Sequence, residues 1–257
     1  MSPQQSRWSK VALLAAMALP CLAFQSDALP TPRLSHRMAR LPLRTLWAWE
    51  RPEDLRSINP ASTAVAYLDQ TLLIGPQLLI QPRRQPLAWP PSATLIAVVR
   101  IQTLPGAVLD EPRQREAATA LLRSARRPGI AALQVDFDAT RSQRAFYAGL
   151  LATLRRQMPP DLPLSITALA SWCSNDDWIA RLPVDEAVPM LFRMEPDRRR
   201  APADLPQFQI REPLCLASAG ISTHEPWPAN LAGKRVYVFP DLGWHHDLSL
   251  LADRNLP

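Results

Sequence analysis

Glycine is scarce in this 257-residue sequence, with 7 in all, and the shortage removes whole classes of function. Phosphate-cradling loops and dinucleotide turns need clustered glycines so that backbone amides can approach an anion, and no such cluster occurs. Cysteine is rarer still. Cys21, Cys173 and Cys215 stand apart from every histidine, and the adjacent His245 and His246 direct their rings differently on a helix or strand. No metal or other cofactor is therefore expected. Lysine occurs only at positions 10 and 234, so the positive charge is carried by scattered arginines. A nucleic-acid reader gathers its basic residues on one element with interleaved aromatics. The pairs Arg83-Arg84 and Arg126-Arg127 and the run Arg198 to Arg200 read instead as solvated surface, and no nucleic-acid partner is expected. Long apolar runs are also missing. The longest, Val11 to Leu19, falls short of the about 20 residues that a permanent membrane helix needs.

That run follows Arg7 and Lys10 and precedes the small residues Cys21, Ala23 and Ala28, the order of a secretory signal. Residues 1–23 are read as a signal peptide, with cleavage after Ala23 or Ala28 and the mature protein periplasmic or extracellular. Lipid anchoring at Cys21 is the alternative, disfavoured by Pro20 directly before it. Processing leaves 27 basic residues against 23 acidic ones, a modest excess. An oxidising compartment permits Cys173 and Cys215 to pair. Because they fall on strands that are not neighbours, they read as two buried thiols.

Residues 24–43, with prolines at 30, 32 and 42 and no apolar period, read as a linker. Short runs rich in Val, Ile and Leu then recur: Thr45 to Trp49, Ala64 to Leu68, Leu95 to Ile101, Ile130 to Asp136, Leu164 to Leu169, Ala187 to Phe192, Leu214 to Ala219 and Val236 to Phe239. Helices are predicted over Glu111 to Arg127 and Arg141 to Met158, the second opened by Thr140 and Gln143 in capping-box relation. Eight strands alternating with helices imply a single α/β domain over 44–257, a compact (β/α)8 barrel, with an open α/β sheet as the alternative. Some crossings look degenerate. Thr71 to Ile74 and Gln77 to Gln81 flank Gly75-Pro76, which predicts a hairpin after the second strand, and Glu195 to Arg211 reads as a loop.

The chemistry concentrates in Gln134-Val135-Asp136-Phe137-Asp138. Alternation puts Gln134, Asp136 and Asp138 on one face and Val135 and Phe137 on the other. If the apolar pair meets the helices, the polar three enter the barrel at the C-terminal end of their strand, where barrel enzymes hold their active sites. Two carboxylates at that spacing repel, so one keeps its proton to higher pH and can act as a general acid. The plainer reading pairs Asp136 with Arg100 of the preceding strand and leaves Asp138 bonding amides at the next helix. With Arg100 holding Asp136 ionised, Asp138 becomes the proton carrier.

The runs Leu46 to Leu55, Gln134 to Thr140, Ser165 to Cys173 and Glu186 to Met194 resemble an exported bacterial family known as domain of unknown function 3142, over residues 44–241. That resemblance implies no activity. A more distant likeness is to the family 18 chitinases, whose fourth barrel strand ends Asp-x-Asp-x-Glu and whose sixth carries Met-x-Tyr. It implies Gln134 at the first Asp, Asp136 at the Asp that orients the acetamido group, Asp138 at the acid, Met190 at the Met and Phe192 at the Tyr. Asp138 is one methylene shorter than Glu, and Phe192 lacks the Tyr hydroxyl.

Trp172 after the fifth strand, Trp49 and Glu50 ending the first, Tyr67 and Asp69 ending the second and Asp241 after the eighth fit a saccharide groove, where aromatic faces cover sugar rings and carboxylates bond hydroxyls. Trp49 and Glu50 must face opposite ways, and the sequence leaves open which enters the pocket. The expectation is a glycoside-hydrolase-type barrel on an envelope or extracellular glycan, with Asp138 as acid, Asp136 as partner, and Gln134, Arg100, Trp172, Tyr67, Asp69, Glu50, Met190, Phe192 and Asp241 binding substrate. The alternative is a non-catalytic glycan-binding or assembly protein on the same barrel. Oligomeric state is not readable from the sequence.

Overall fold

The computed structural model describes residues 35–174, 176–192 and 209–251. The segments read from sequence as signal peptide and, up to residue 34, as linker lie outside the described residues, as do Cys21, Arg193 and Met194, the Arg198 to Arg200 cluster and most of the loop expected over 195–211. Eight parallel strands among them follow the apolar runs: β1 (Arg44–Ala48), β3 (Thr63–Ile74), β6 (Thr94–Thr103), β7 (Ile130–Asp136), β8 (Leu164–Leu169), β9 (Glu186–Met190), β10 (Ser218–Ser222) and β11 (Arg235–Phe239). They hydrogen-bond in the order β1-β11-β10-β9-β8-β7-β6-β3, and β1 also pairs with β3, so the sheet closes. The fold is the (β/α)8 barrel expected, not the open sheet.

The connections are as uneven as the sequence implies. After β3, the strand β4 (Leu78–Pro82) returns antiparallel across the Gly75 turn, and the short β2 (Glu53–Asp54) and β5 (Leu87–Ala88) pair outside the barrel. The two full helices are α1 (Glu111–Ala125) and α2 (Arg144–Gln157). Asp110 caps α1 by accepting from the Arg113 amide at 2.9 Å, and Gln143 accepts from the Thr140 amide at 2.8 Å ahead of α2. The short α3 (Ala170–Ser174), α4 (Pro213–Leu216) and α5 (Trp244–Asp247) sit at strand ends. None of the described helices is long and apolar enough to cross a membrane.

One strand lies elsewhere than expected. Leu214 begins a helical turn because Pro213 opens it and the Glu212 carboxylate caps the Leu214 amide at 3.2 Å. The strand that follows carries Ser218, Gly220 and Ser222 alternately, too small to make an apolar run. Gly220 sits in a tight place: a Cβ there would stand 3.0 Å from Met190 Sδ and 3.2 Å from the Pro189 carbonyl oxygen, so a neighbour would have to shift.

Two cores result. The outer one packs Leu46, Val65, Val99, Val135 and Ile166 against Leu121 of α1 and Phe146, Leu150 and Leu154 of α2. The inner one fills the lumen with Trp47, Ala64, Ala66, Ile96, Val98, Ala132, Val188 and Tyr237. Residues 35–43 are not linker. Met38 and Leu41 are buried against the lumen, and the Arg235 guanidinium donates to the carbonyls of Met38, Leu41 and Pro42, closing the barrel floor.

Above that plug runs a continuous polar chain. Trp47 Nε1 donates to Gln134 Oε1 (2.8 Å), Gln134 Nε2 to Ser165 Oγ (3.1 Å), and Ser165 Oγ and Tyr237 Oη to Glu186 Oε2 (3.1 and 2.8 Å). Glu186 Oε1 and Arg235 Nε lie 3.3 Å apart as a fully buried ion pair. Burial pushes the Glu186 carboxyl up, and Arg235, Tyr237 and Ser165 oppose the shift.

Cys173 and Cys215 form a disulfide, contrary to the expectation of two free thiols. They reside on α3 and α4, outside the sheet, where the two turns meet across β9 although β8 and β10 are not neighbours.

Arg235→Met strands a buried carboxylate and is expected to cost about 3–5 kcal/mol in chemical denaturation, while Arg235→Met combined with Glu186→Leu costs less. Replacing both cysteines by serine releases a 42-residue loop and is expected to cost about 4 kcal/mol in the same assay.

Candidate active site at the C-terminal mouth of the barrel

Inward positions continue upward from the polar chain. On β7 the alternation holds: Gln134 points into the lumen, Asp136 stands above it at the strand end, and Asp138 follows just beyond, exposed at the rim. On β6 the register pairs Arg100 with Asp136 directly. Arg100 Nη1 donates to Asp136 Oδ2 at 2.8 Å, and Thr167 Oγ1 of β8 donates to Asp136 Oδ1, also at 2.8 Å. The Arg100–Asp136 pairing expected from sequence is therefore present.

The protonation pattern differs from expectation. Burial pushes the Asp136 carboxyl above the ordinary value, Arg100 pulls it down, and the charge of Asp138 adds to the rise. The group driven toward its neutral form is thus the enclosed Asp136, because Arg100 keeps one edge toward solvent and does not fully repay the desolvation. Beside the pair, Arg100, Gln102, Thr103, Phe137 and Asp138 line an open depression of about 300 Å³.

Trp49 faces inward and Glu50 outward, which resolves the choice left open at the end of β1. The Trp49 ring lies 4.2 Å from Trp47 and 6.2 Å from Phe239, with the Arg100 guanidinium 5.8 Å over its face. Glu50 instead accepts the amides of Arg84 and Gln85 at 2.8 and 3.0 Å and holds the chain after β4. Nearby, Arg83 is no solvated surface residue. Its guanidinium clamps the Trp49 and Arg51 carbonyls at 2.6 Å each.

Four other substrate-binding expectations are corrected by packing. Tyr67 points outward and stacks on Trp89 at 5.5 Å, because it alternates with the inward Ala64 and Ala66 and shares the outer face of β3 with Val65. Burial raises the Tyr67 phenol to about 12. Asp69 sits at a bulge in β3 and turns toward α1, accepting from Ser124 Oγ at 2.6 Å and pairing with Arg127 at 3.1 Å. Gln134 spends its amide inside the floor network. Trp172 is buried in the outer core, edge-on to Trp178 at 4.8 Å, because α3 begins directly after β8 and carries the indole away from the mouth.

Met190 ends β9 and Phe192 follows two residues on; both pack against the inner core, with Phe192 4.9 Å from Phe239. Asp241 stands past β11 and accepts from Ser222 Oγ at 2.7 Å. Gln102, Thr167 and Phe239 were missed, although Gln102 lies two residues beyond Arg100 and period-two counting reaches it. Also missed was a histidine–carboxylate pair beyond β10: His224 Nε2 lies 3.1 Å from Asp247 Oδ1 on α5. Asp247 is fully buried, which pushes its carboxyl up. Hydrogen bonds from Thr223, His224 and the Leu242 amide outweigh that and hold it below the usual carboxylate range.

These features define a closed parallel barrel with ionisable groups at the C-terminal ends of its strands. Residues 92–195, from β6 past β9, match the family described as domain of unknown function DUF3142, and they include Arg100, Asp136, Asp138, Met190 and Phe192. Among solved structures, the chain is similar to the Bacillus cereus spore cortex-lytic enzyme SleL at 18% identity and a TM-score of 0.49, over 70% of this chain and 51% of that one. It is similar to the chitinase domain of the spore coat protein CotE from Clostridium difficile at 13% identity and a TM-score of 0.46, over 76% and 67%. The chain thus spans about half the length of the first. Curated proteins gave no match.

Trp172→Ala is expected to lower stability by about 3–5 kcal/mol in thermal or chemical unfolding. At a temperature where the variant is folded, its saccharide binding should equal that of the unaltered protein.

Proposed function

We propose that this barrel is a glycoside hydrolase of envelope or extracellular glycans. The observation that carries the reading is the vertical arrangement on β7: an exposed carboxyl, Asp138, stands at the mouth directly beyond a buried one, Asp136, locked by Arg100 and Thr167. Asp138 is the residue free to approach a glycosidic oxygen and deliver a proton. Asp136 is its electrostatic partner, while Trp49 and Phe192 offer aromatic surface to a sugar ring. The likeness of the β7 and β9 motifs to family 18 chitinases points to an amino-sugar substrate. Export is part of the proposal, supported by the charged and apolar N-terminal segment and by the Cys173–Cys215 disulfide, a bond that persists in oxidising compartments.

A second reading has its own support. Both oxygens of Asp136 are engaged, which suits a carboxylate that holds the mouth together, and a binding protein on the same barrel needs no acid.

The two readings separate on incubation with chitin oligomers. Turnover that falls at least a hundredfold in Asp138→Asn while oligomer binding persists supports the enzyme, whereas binding without turnover in the unaltered protein supports the second reading.

A further inference from the structure

The end of the barrel opposite the mouth carries more positive charge than its acids balance. Three turns meet there: residues 35–43 before β1, the turn from α1 into β7, and the turn from α2 into β8. They bring together Arg37 and Arg40, Arg126 and Arg127, and Arg155 and Arg156. Contacts between the turns make them one surface. Arg126 Nη2 donates to the Gln157 carbonyl at 3.3 Å, Arg155 Nη1 to the Leu162 carbonyl at 3.0 Å, and Arg37 Nε to the Pro160 carbonyl. Arg37 and Arg155 then share Asp185, just before β9, at 2.9 and 2.6 Å.

We propose that this N-terminal face docks on a membrane surface rich in anionic phospholipid headgroups. The inference does not rest on the glycosidase reading. Asp185 is 4% exposed beneath Arg37 and Arg155, and Asp69 is 5% exposed behind Arg127. Among the described residues of the three turns, the open acid is Asp161, standing 4.0 Å from Arg40. An exposed pair at that distance contributes little, so the Arg40 guanidinium, 58% exposed, is available to other anions. Arg126, Arg127 and Arg156 are exposed as well. Guanidinium forks match the oxygens of a phosphate in pairs, which suits a headgroup layer that repeats that group.

Two observations favour lipid over a nucleic acid. Ser35, the first of the described residues, lies on this face with its carbonyl accepting from the Ala39 amide, so the sequence containing the apolar run Val11 to Leu19 joins the barrel here. The three turns also hold no aromatic residue on which bases could stack. Attraction to a charged surface fades within about 10 Å, so the arginines of this end set the orientation. Docked this way, the barrel turns Asp138 and the mouth away from the lipid, where a glycan can reach them.

The test is co-sedimentation of the full-length chain with vesicles of phosphatidylcholine alone and of phosphatidylcholine mixed equally with phosphatidylglycerol, at low and high salt. The anionic vesicles should bind the protein more tightly and lose that advantage at high salt. Arg40→Gln, Arg126→Gln and Arg156→Gln together should weaken anionic-vesicle binding about a hundredfold, with melting temperature unchanged. The same charge removed near the mouth, by Arg84→Gln, Arg141→Gln and Arg211→Gln, should leave it within about twofold. If the first triple variant does not fold, Arg40→Gln alone decides, with an expected loss of about fivefold. Equal binding to both kinds of vesicle, or equal losses in the two triple variants, overturns the proposal. So does binding to double-stranded DNA or heparin as tight as to the anionic vesicles.

Discussion

The buried pair of Glu186 and Arg235 is the constraint around which the barrel is organised. Two opposite charges without solvent are tolerated only when every remaining donor and acceptor finds a partner. Arg235 holds the carbonyls of Met38, Leu41 and Pro42 and Glu186 accepts from Ser165 and Tyr237, which leaves Arg235 Nε and Glu186 Oε1 facing each other at 3.3 Å as an ion pair without a hydrogen bond. Those contacts draw the chain before β1 under the strands and seal the N-terminal end. They also dictate Gln134, whose amide bridges Trp47 to Ser165 and extends the network across the lumen. With the floor closed, the interior is reached from one side only.

That asymmetry explains why the same inward stripe changes character with height. On β7, Ala132 packs, Gln134 is spent on structure, Asp136 is buried against Arg100 and pushed toward its neutral form, and Asp138, just beyond the strand, is open. Enclosure weakens upward, so the cost of an unpaired carboxylate falls in the same direction. The rim is where the fold can expose ionisable groups, and Asp138 stands there.

Much of this was legible in sequence because strands keep a period of two. Arg100 and Asp136 were found by counting inward positions on adjacent strands, and the register places them opposite one another. On β3 the small inward residues Ala64 and Ala66 leave the lumen to Trp47 of another strand, and the same counting sets Tyr67 on the outer face with Val65. Counting fails at bulges, where Asp69 and Gln70 both turn toward α1, and where a helix begins without a connecting loop, as at Trp172. The disulfide and the His224–Asp247 pair join turns that no local pattern relates. Period-two reading therefore reaches what one strand controls, and misses what two loops make between them.

The seam of the barrel has a kinetic meaning. Arg44 pairs with Val236 and, on its other side, with Thr63, so the first strand needs the last one to lose its open edge. Until residues 235–239 are available, β1 and β10 each expose an unpaired row of amides and carbonyls, the feature that invites pairing with foreign strands. Closure joins segments almost the whole described chain apart, and such non-local contacts form late because the chain entropy must be surrendered before they contribute. A chain truncated within β11 would therefore remain an open sheet with two sticky borders rather than a slightly weakened barrel.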